Sequence, residues 1–481
     1  MRRHSFIPGR LSLFAAALSF AGVTGAQTVN PPAPGALRPY AFPPVEQFQL
    51  SNGLKVILVE KHTVPVVEAR LIVDAGAQRE PAAKSGLASL TGSLLSEGTG
   101  TMTGADIARA MDELGARFST GAGYNNGFAD VVALKTVFPQ ALTLAAKTVI
   151  SPSFPTTEIT RVKNRALAQY AQTHAQTAGL ASDAFLRAAF DSTAPFSRPA
   201  SGTPATISAL TRDDIVNWHR TMYAPAASTL LLVGDLTRPE AQTIAQQAYG
   251  AWTASSSALA PVANPIRASS GTRIILVDRP ASVQSSIVVG QAGFRATDPD
   301  YLKMVALNHV LGGGFSSRVN MNLREKHGYT YGAFSGLDLR PGSGAFRINS
   351  DVRTSSTDSA LVEAIGEYKR IASEPVPGPE LQGALNNLVS SFPSSVQSVQ
   401  GLTGRIQQLI VWGLPVDFYT TYRERLAAVT PADLSSVASA RLTPNNVIVV
   451  VAGDLSKIEG PIRSRNLGPV EVWDVNGNKV R

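Results

Sequence analysis

The sequence predicts an α+β fold built from two homologous domains, and three observations support this prediction. Similar segments recur about 218 residues apart, each copy opens with strands rich in β-branched residues, and several helices are marked by capping residues. Because strands and helices do not alternate regularly, we expect each domain to be a mostly antiparallel sheet with helices packed on one face.

The internal repeat indicates where the domains begin and end. Four segments recur in the same order at offsets of 217 to 219 residues: Val56–Lys61 with Ile274–Arg279, Ala75–Gly76 with Ala292–Gly293, Leu210–Thr211 with Val429–Thr430, and Val233–Leu236 with Ala452–Leu455. We therefore predict domains over residues 45–252 and 273–481. The stretch between them, residues 253–272, is rich in small residues and proline and is predicted to be a linker.

Residues 1–26 are predicted to be a signal peptide. Arg2, Arg3 and Arg10 accompany the apolar run LSLFAAALSFAG, which ends at small residues suited to cleavage. Cleavage would place the mature chain in a bacterial periplasm, and the alternative is an uncleaved N-terminal anchor. No stretch approaches the roughly 20 apolar residues that span a bilayer, so we expect no stable membrane insertion. The proline-rich residues 27–44 are expected to form an extended lead-in.

The composition excludes several classes of function. The chain of 481 residues has no cysteine, which excludes disulfides, thiolate metal sites and a cysteine nucleophile. Its 43 Lys and Arg against 35 Asp and Glu give a formal net charge of +8, but the basic residues form no block and no aromatic-studded stripe. We therefore expect no nucleic-acid partner.

Three helices are predicted to begin at capping boxes. In each, a threonine is followed three residues later by an aspartate, so that each side chain can bind the backbone N–H of the other residue. The pairs are Thr103 with Asp106, Thr211 with Asp214, and Thr430 with Asp433.

Two segments carry a resemblance to a known family. KSGLASLTGSLLSEGT, from Lys84 to Thr99, resembles the zinc helix of the M16 family (pitrilysin, insulinase and mitochondrial processing peptidase-like), where GLAH-x-x-EH carries an inverted zinc motif. LGGGFSSRVNMNLREKHGYTYGAFSG, from Leu311 to Gly336, resembles the C-terminal substrate segment of that family. The resemblance spans about residues 44–457 and implies the M16/LuxS-like metallohydrolase fold.

The same resemblance implies that the zinc site of this chain is degenerate. The two histidines of the family fall on Ser89 and Ser93, and its general-base glutamate falls on Gly92. Serine hydroxyls are poor zinc ligands, and glycine offers no proton acceptor. The remaining ligand of the family is expected within residues 165–170, a stretch without Asp or Glu. We therefore expect no metal and no other cofactor in this chain.

No substitute metal site is predicted either. The six histidines include no pair at a spacing of three or four residues. Glu97 follows the degenerate motif by one turn and is expected to be an exposed carboxylate at a helix end. His309 lies in the counterpart of this helix in the second copy and is expected to pack in the interior or to face solvent.

The resemblance assigns catalytic residues to the C-terminal domain. In active M16 proteins an arginine and a tyrosine seven residues apart hold the scissile carbonyl, and Arg324 and Tyr331 match that spacing. A guanidinium and a phenol hydroxyl are donors suited to an oxyanion. Gly328 is expected to cap the helix between them, and Tyr331 to begin a strand. Tyr329, on the same strand face, is a rival for the role of Tyr331.

A glycine-rich run is predicted to bind substrate together with Tyr329. It comprises Gly312, Gly313, Gly314 and Phe315, where glycine allows backbone to approach a bound peptide. A phosphate-loop interpretation is weak because no Gly-Lys-Ser/Thr follows. A serine hydrolase is unsupported because the sequence has no Gly-x-Ser-x-Gly elbow.

The predicted site lacks the metal-binding residues of the family but keeps the residues that hold the substrate. In paired M16 enzymes one subunit carries zinc and a degenerate subunit supplies the arginine and tyrosine, and this chain resembles the second kind. The resemblance implies a periplasmic, non-zinc subunit of a heterodimeric M16 metallopeptidase, inactive alone, whose zinc-bearing partner shares a peptide or unfolded polypeptide substrate. Two alternatives stay open: a non-catalytic peptide-binding or assembly protein, and a self-sufficient peptidase with an unrecognised metal site.

Overall fold

The structure, a computed structural model, describes residues 39–254, 259–268 and 270–481. The predicted signal peptide over residues 1–26 lies outside the described residues, as do most of the predicted lead-in and part of the predicted linker. Residues 39–45 have no regular secondary structure. Beyond them the chain forms two six-stranded sheets, one in each half of the sequence.

The first sheet lies in the first half of the chain. Its strands are β1 (Glu46–Gln49), β2 (Lys55–Glu60), β3 (Val66–Val73), β6 (Arg117–Ala122), β7 (Gly127–Leu134) and β8 (Ser228–Gly234), and a separate small hairpin joins β4 (Gly98–Thr99) to β5 (Met102–Thr103). The strand order is β1-β2-β8-β3-β7-β6. Only the β2–β8 pair is parallel within this sheet as described, so the sheet is mostly antiparallel.

The second sheet repeats the first. Its strands are β9 (Arg273–Asp278), β10 (Gln284–Phe294), β11 (Thr330–Asp338), β12 (Gly344–Arg353), β13 (Ile448–Gly453) and β14 (Val470–Trp473). They follow the order β11-β12-β10-β13-β9-β14, which read backwards places β9, β13 and β10 where the first sheet has β2, β8 and β3. The first of the repeated segments lies largely in the equivalent strands β2 and β9, the last begins in β8 and β13, and the predicted α+β fold with two homologous domains is confirmed.

Sixteen helices accompany the sheets in the described part of the chain. The first half contains α1 (Leu87–Leu94), α2 (Gly104–Glu113), α3 (Phe138–Ile150), α4 (Thr156–His174), α5 (Thr177–Ala189), α6 (Pro204–Ala209), α7 (Arg212–Met222) and α8 (Arg238–Tyr249). The second half contains α9 (Tyr301–Asn308), α10 (Arg318–Asn320), α11 (Thr357–Ser373), α12 (Gly378–Ser395), α13 (Val399–Trp412), α14 (Tyr422–Ala427), α15 (Pro431–Arg441) and α16 (Leu455–Ser464). Two π-helical segments, His309–Gly313 and Met321–Lys326, continue α9 and α10.

The three predicted capping boxes are confirmed at the starts of α2, α7 and α15. In the last of them, Asp433 accepts a hydrogen bond from the backbone N–H of Thr430 at 3.0 Å, and the Thr430 hydroxyl accepts one from Asp433 N at 3.2 Å. Each box satisfies N–H groups that a helix leaves unpaired at its first turn. None of the helices in the described residues is both long enough and apolar enough to cross a bilayer.

Each sheet is covered on one face by helices of its own half and on the other face by a helix of the opposite half. Helix α5 packs on β10 and β13 of the second sheet, and α13 packs on β3 and β8 of the first. Leu180 of α5 shares a buried cluster with Ile275 of β9. Leu402 of α13 shares another with Leu231 of β8. The two halves therefore exchange helices, an arrangement that the repeat did not predict.

Candidate functional site

Helix α1 carries the three positions predicted to be a degenerate metal site. Ser89 and Ser93 are half-buried and lie one turn apart on the helix, and Gly92 is buried. The helix packs against strand β6 and against helices α4 and α7. The predicted positions are thus enclosed by three elements of the first half.

At Gly92, helix α1 lies so close to strand β6 that a side chain has no space between them. A Cβ at this position would lie 2.6 Å from the backbone nitrogen of Ala122 and 2.6 Å from the carbonyl oxygen of Gly121. These distances are shorter than van der Waals contact, and the neighbours are backbone atoms of a paired strand that cannot rotate away. The position that corresponds to the general base of the family therefore has no space for a carboxylate.

The start of α1 is held by a buried carboxylate that the sequence analysis missed. Glu80 is 7% exposed and accepts hydrogen bonds from the backbone N–H groups of Gly86 at 3.0 Å and Ala88 at 2.5 Å. Burial raises the pKa of Glu80 to about 7, and the two backbone donors oppose that shift. Gly86 has a φ of +96°, which explains why glycine precedes the helix. A lone glutamate six residues before a glycine gave no recognisable signal.

A zinc ion does not fit the residues around α1. Helix α4, where the remaining ligand of the family was expected, packs against α1, but its acidic residue Glu158 lies in its first turn and none follows. Over residues 39–254, 259–268 and 270–481, no three His, Asp or Glu side chains are grouped so as to hold a metal ion. Ser89 and Ser93 therefore have too few ligating groups around them in the described part of the chain to complete a zinc site.

The prediction that Glu97 is an exposed carboxylate was wrong. Its side chain is 16% exposed, and its Oε2 lies 2.6 Å from Nη2 of Arg161 on α4. Arg161 also pairs with Glu158 through a 2.6 Å contact between Nε and Oε2. The error arose because the arginine comes 64 residues later in the sequence, where no local pattern reveals that α4 returns to the end of α1.

In the second half, Arg324 lies in the π-helical segment that follows α10. Its guanidinium carbon is 4.6 Å from the centroid of the Phe315 ring, and its Nε is 3.4 Å from Oε1 of Glu325. The side chain is 37% exposed, so the guanidinium can reach another molecule. Gly328, with a φ of +63°, ends the helix as predicted.

Tyr331 lies in the second position of β11, at a bulge. Thr330 pairs with Val352 and Ala333 with Ser350, so the two residues between them on β11 lie outside the regular register. Bulges of this kind redirect a side chain, and the Tyr331 side chain is 91% exposed.

The rival tyrosine has a different environment. The Tyr329 ring stacks on His327 with 4.9 Å between centroids and packs partly buried against the core of the second half. Tyr331 is therefore the more exposed of the two tyrosines.

Three of the residues predicted to bind substrate line one cavity. Gly313, Gly314 and Phe315 border a space of about 490 Å³ together with His309 and the start of α12. Burial lowers the pKa of His309, which favours its neutral form in this wall. Gly312 has another role, because a Cβ there would lie 2.6 Å from the Ser335 hydroxyl oxygen of β11.

Comparisons with known proteins identify the family. A family model described as "Insulinase (Peptidase family M16)" matches residues 55–201, and one described as "Peptidase M16 inactive domain" matches residues 209–388. The chain belongs to peptidase family M16. The second match runs from the end of α6 in the first half to α12 of the second half, so it contains the Arg324 and Tyr331 region of this M16 chain.

Relatives and solved structures agree with this assignment. An uncharacterized zinc protease of Streptomyces coelicolor is 26% identical over 406 residues, which cover 82% of the M16 chain and 86% of that protein. An uncharacterized zinc protease of Mycobacterium leprae is 24% identical over 299 residues, covering 62% of this chain and 67% of that one. A peptidase M16 inactive domain from Pseudomonas fluorescens, solved by crystallography, has a TM-score of 0.80 at 29% identity and covers 85% of this chain and 98% of its own. A protease from Helicobacter pylori, at 18% identity and a TM-score of 0.79, covers 85% and 100% respectively and shows the shared fold.

Proposed function

We propose that this M16 chain is the non-zinc subunit of a heterodimeric metallopeptidase. The observation that carries the proposal is the contrast between the two halves. In the first half the backbone of β6 closes the position of the general base at Gly92, whereas in the second half Arg324 and Tyr331 are accessible. A chain with this contrast is suited to act on a peptide whose scissile bond is held at the zinc site of another M16 subunit.

The chemistry of the proposed role follows from the two exposed donors. The guanidinium of Arg324 carries a permanent positive charge, and the Tyr331 hydroxyl is a neutral donor. Aimed at the carbonyl oxygen of the scissile bond, they stabilise the negative charge that develops there in the transition state. Zinc, bound by the partner subunit, would polarise the same carbonyl and supply the activated water. This chain contributes neither the metal nor the base.

The substrate in this proposal is a peptide or an unfolded polypeptide. Strand β11, which carries Tyr331, is an outer strand of the second sheet, and β6 is an outer strand of the first. An outer strand has unpaired backbone groups that can bind an extended peptide without recognising its sequence. The cavity bordered by Gly313, Gly314 and Phe315 provides space for a side chain of that peptide. The periplasm is the proposed location, on the basis of the signal peptide predicted over residues 1–26.

A second candidate function is a peptide-binding or assembly protein without catalysis. The cavity of about 490 Å³ and the outer strand β11 support it, because both would bind a peptide whether or not a zinc-bearing subunit is present. Under this alternative, Arg324 and Tyr331 would contribute to peptide affinity and not to turnover.

Hydrolysis of an unfolded peptide by the purified mature chain, alone and mixed with a zinc-motif-bearing M16 protein of the same organism, separates these possibilities. The proposal predicts activity in the mixture alone, with zinc confined to the other chain. Stoichiometric zinc and chelator-sensitive hydrolysis in this chain alone would overturn it. Peptide binding without hydrolysis in either sample would favour the second candidate.

A further inference from the structure

Arg324 and Tyr331 are connected through Phe315, which the proposed function used only as a border of the cavity, and through Asn320, which it did not use. We propose that Phe315 and Asn320 are positioning residues that hold Arg324 and Tyr331 in the geometry in which they meet a peptide. This inference rests on the proposed function of the Arg324 and Tyr331 pair and adds the means by which that pair is prepared.

Asn320 joins the glycine-rich segment to strand β11. It is fully buried, and its Nδ2 donates a hydrogen bond to the backbone oxygen of Phe315 at 2.6 Å. Its Oδ1 accepts a hydrogen bond from the backbone N–H of Ala333 at 3.2 Å. An amide side chain carries a donor and an acceptor side by side at its tip, so one residue can bind both backbone groups. Asn320 therefore fixes the backbone of Phe315 and the backbone two residues beyond Tyr331.

The ring of Phe315 supports the guanidinium of Arg324. The side chain of Phe315 is 57% exposed and the residue sits on a glycine-rich segment, where no core requires an aromatic residue. The 4.6 Å separation between the guanidinium carbon of Arg324 and the ring centroid is within the range of a cation–π contact. The ion pair of Arg324 with its neighbour Glu325 is solvent-exposed and therefore weak. The ring is thus the main rigid contact that orients the guanidinium.

The backbone of Tyr331 is held on both sides while its ring is free. Before it, the Thr330 hydroxyl donates to the backbone oxygen of Asp351 at 2.6 Å and accepts from Gly332 N at 3.0 Å. After it, Asn320 binds Ala333 N. A fixed backbone beneath an exposed side chain lowers the entropy lost when the hydroxyl engages a substrate.

A double-mutant cycle in the reconstituted pair tests the inference. With an unfolded fluorogenic peptide and a zinc-motif-bearing M16 protein of the same organism, Phe315→Leu should lower kcat roughly 10-fold, because the donors lose alignment. Phe315→Tyr should restore kcat, since it keeps the ring. Adding Phe315→Leu to Arg324→Ala should cause no further loss, because the ring acts through the arginine.

Two further variants test the role of Asn320 and provide a control. Asn320→Asp should lower kcat as well, because a carboxylate cannot donate to the Phe315 oxygen. Phe48→Leu is the matched control: Phe48 also faces a guanidinium, that of Arg238 at 5.7 Å, but on the outer strand β1 of the first half. It should leave turnover unchanged. Phe315 is exposed, so its replacement should not prevent folding. The Phe315 variants therefore test the inference even if the variant of the buried Asn320 does not fold.

A measurement on this chain alone gives an independent answer. Nitrogen-15 relaxation of the Nε–Hε group of Arg324 should show a lower order parameter in Phe315→Leu and an unchanged one in Phe315→Tyr. An unchanged order parameter in Phe315→Leu would overturn the inference, as would an unchanged kcat in that variant when Arg324→Ala is impaired. If Arg324→Ala itself leaves turnover unchanged, the proposed function fails, and the relaxation measurement still decides whether Phe315 positions Arg324.

Discussion

At Gly92, the absence of a side chain is what allows α1 to lie against the backbone of β6. The sequence predicted the loss of a general base at this position, because glycine has no acceptor. It did not predict that the space itself is closed, since the approach of Ala122 depends on how β6 pairs within the sheet. The same reasoning applies to Gly312 beside Ser335 in the second half, which was predicted to bind substrate but lies in a helix-to-strand contact.

Replacement of Gly92 tests this packing. Gly92→Ala should destabilise the protein by about 1–3 kcal/mol, the usual cost of forcing extra volume into a packed contact. Thermal or urea unfolding of the purified chain measures the change. Gly123→Ala is the matched control, because nothing lies within 4 Å of the Cβ that it would add. Equal stability of the two variants would show that the backbone of β6 can shift at little cost and that position 92 can hold a side chain.

Among the elements, the contact of α13 with the first sheet contains a buried charged cluster. Arg70 of β3 lies 3.0 Å from Glu68 Oε1, 2.7 Å from Asp130 Oδ2 and 2.7 Å from Oε1 of Gln407 on α13. Glu68 is fully buried, and burial, followed by the negative charge of Asp130, raises the pKa of Glu68 well above its usual range. One arginine therefore contacts two carboxylates at the place where α13, a helix of the second half, packs on the first sheet.

This cluster predicts a pH dependence of stability. The folded protein binds the proton of Glu68 more tightly than the unfolded chain does. The contribution of Glu68 to the free energy of unfolding is therefore complete at acidic pH and is lost as pH rises through the raised pKa. Glu68→Gln should remove this loss of stability at high pH, because glutamine does not titrate. The unfolding midpoint of the wild type should therefore fall relative to that of the variant between pH 5 and pH 9. Glu113→Gln, on the exposed side of α2, serves as control, and an equal pH dependence of Glu68→Gln and wild type would refute the prediction.

Elements that depend on nearby residues could be predicted from the sequence, and those that depend on distant contacts could not. The capping box at Thr430 and the helix end at Gly328 follow from residues within one turn, and both are present. The strands of the repeat were visible as β-branched runs. The exchange of α5 and α13 was not visible, because their apolar faces do not indicate which of two similar sheets they cover.

For the whole molecule, the exchange of helices makes each half incomplete alone. A chain of residues 27–252 would lack α13 over its sheet, and a chain of residues 273–481 would lack α5. Each would expose an apolar sheet face, and we expect neither to unfold cooperatively by itself. Co-expression of the two should restore a cooperative transition, measured by circular dichroism during heating. A cooperative transition in either half alone would contradict this expectation.

For the complete enzyme, the proposed function is that this chain supplies two donors to a site whose metal belongs to another subunit. Steady-state hydrolysis of an unfolded peptide by the reconstituted pair, with Tyr331→Phe in this chain, tests that claim most directly. Loss of one donor to the developing oxyanion should lower kcat by roughly 10²-fold, and Tyr329→Phe should have a smaller effect because its ring is packed on His327. Unchanged turnover in Tyr331→Phe, in a pair whose activity requires this chain, would contradict the account.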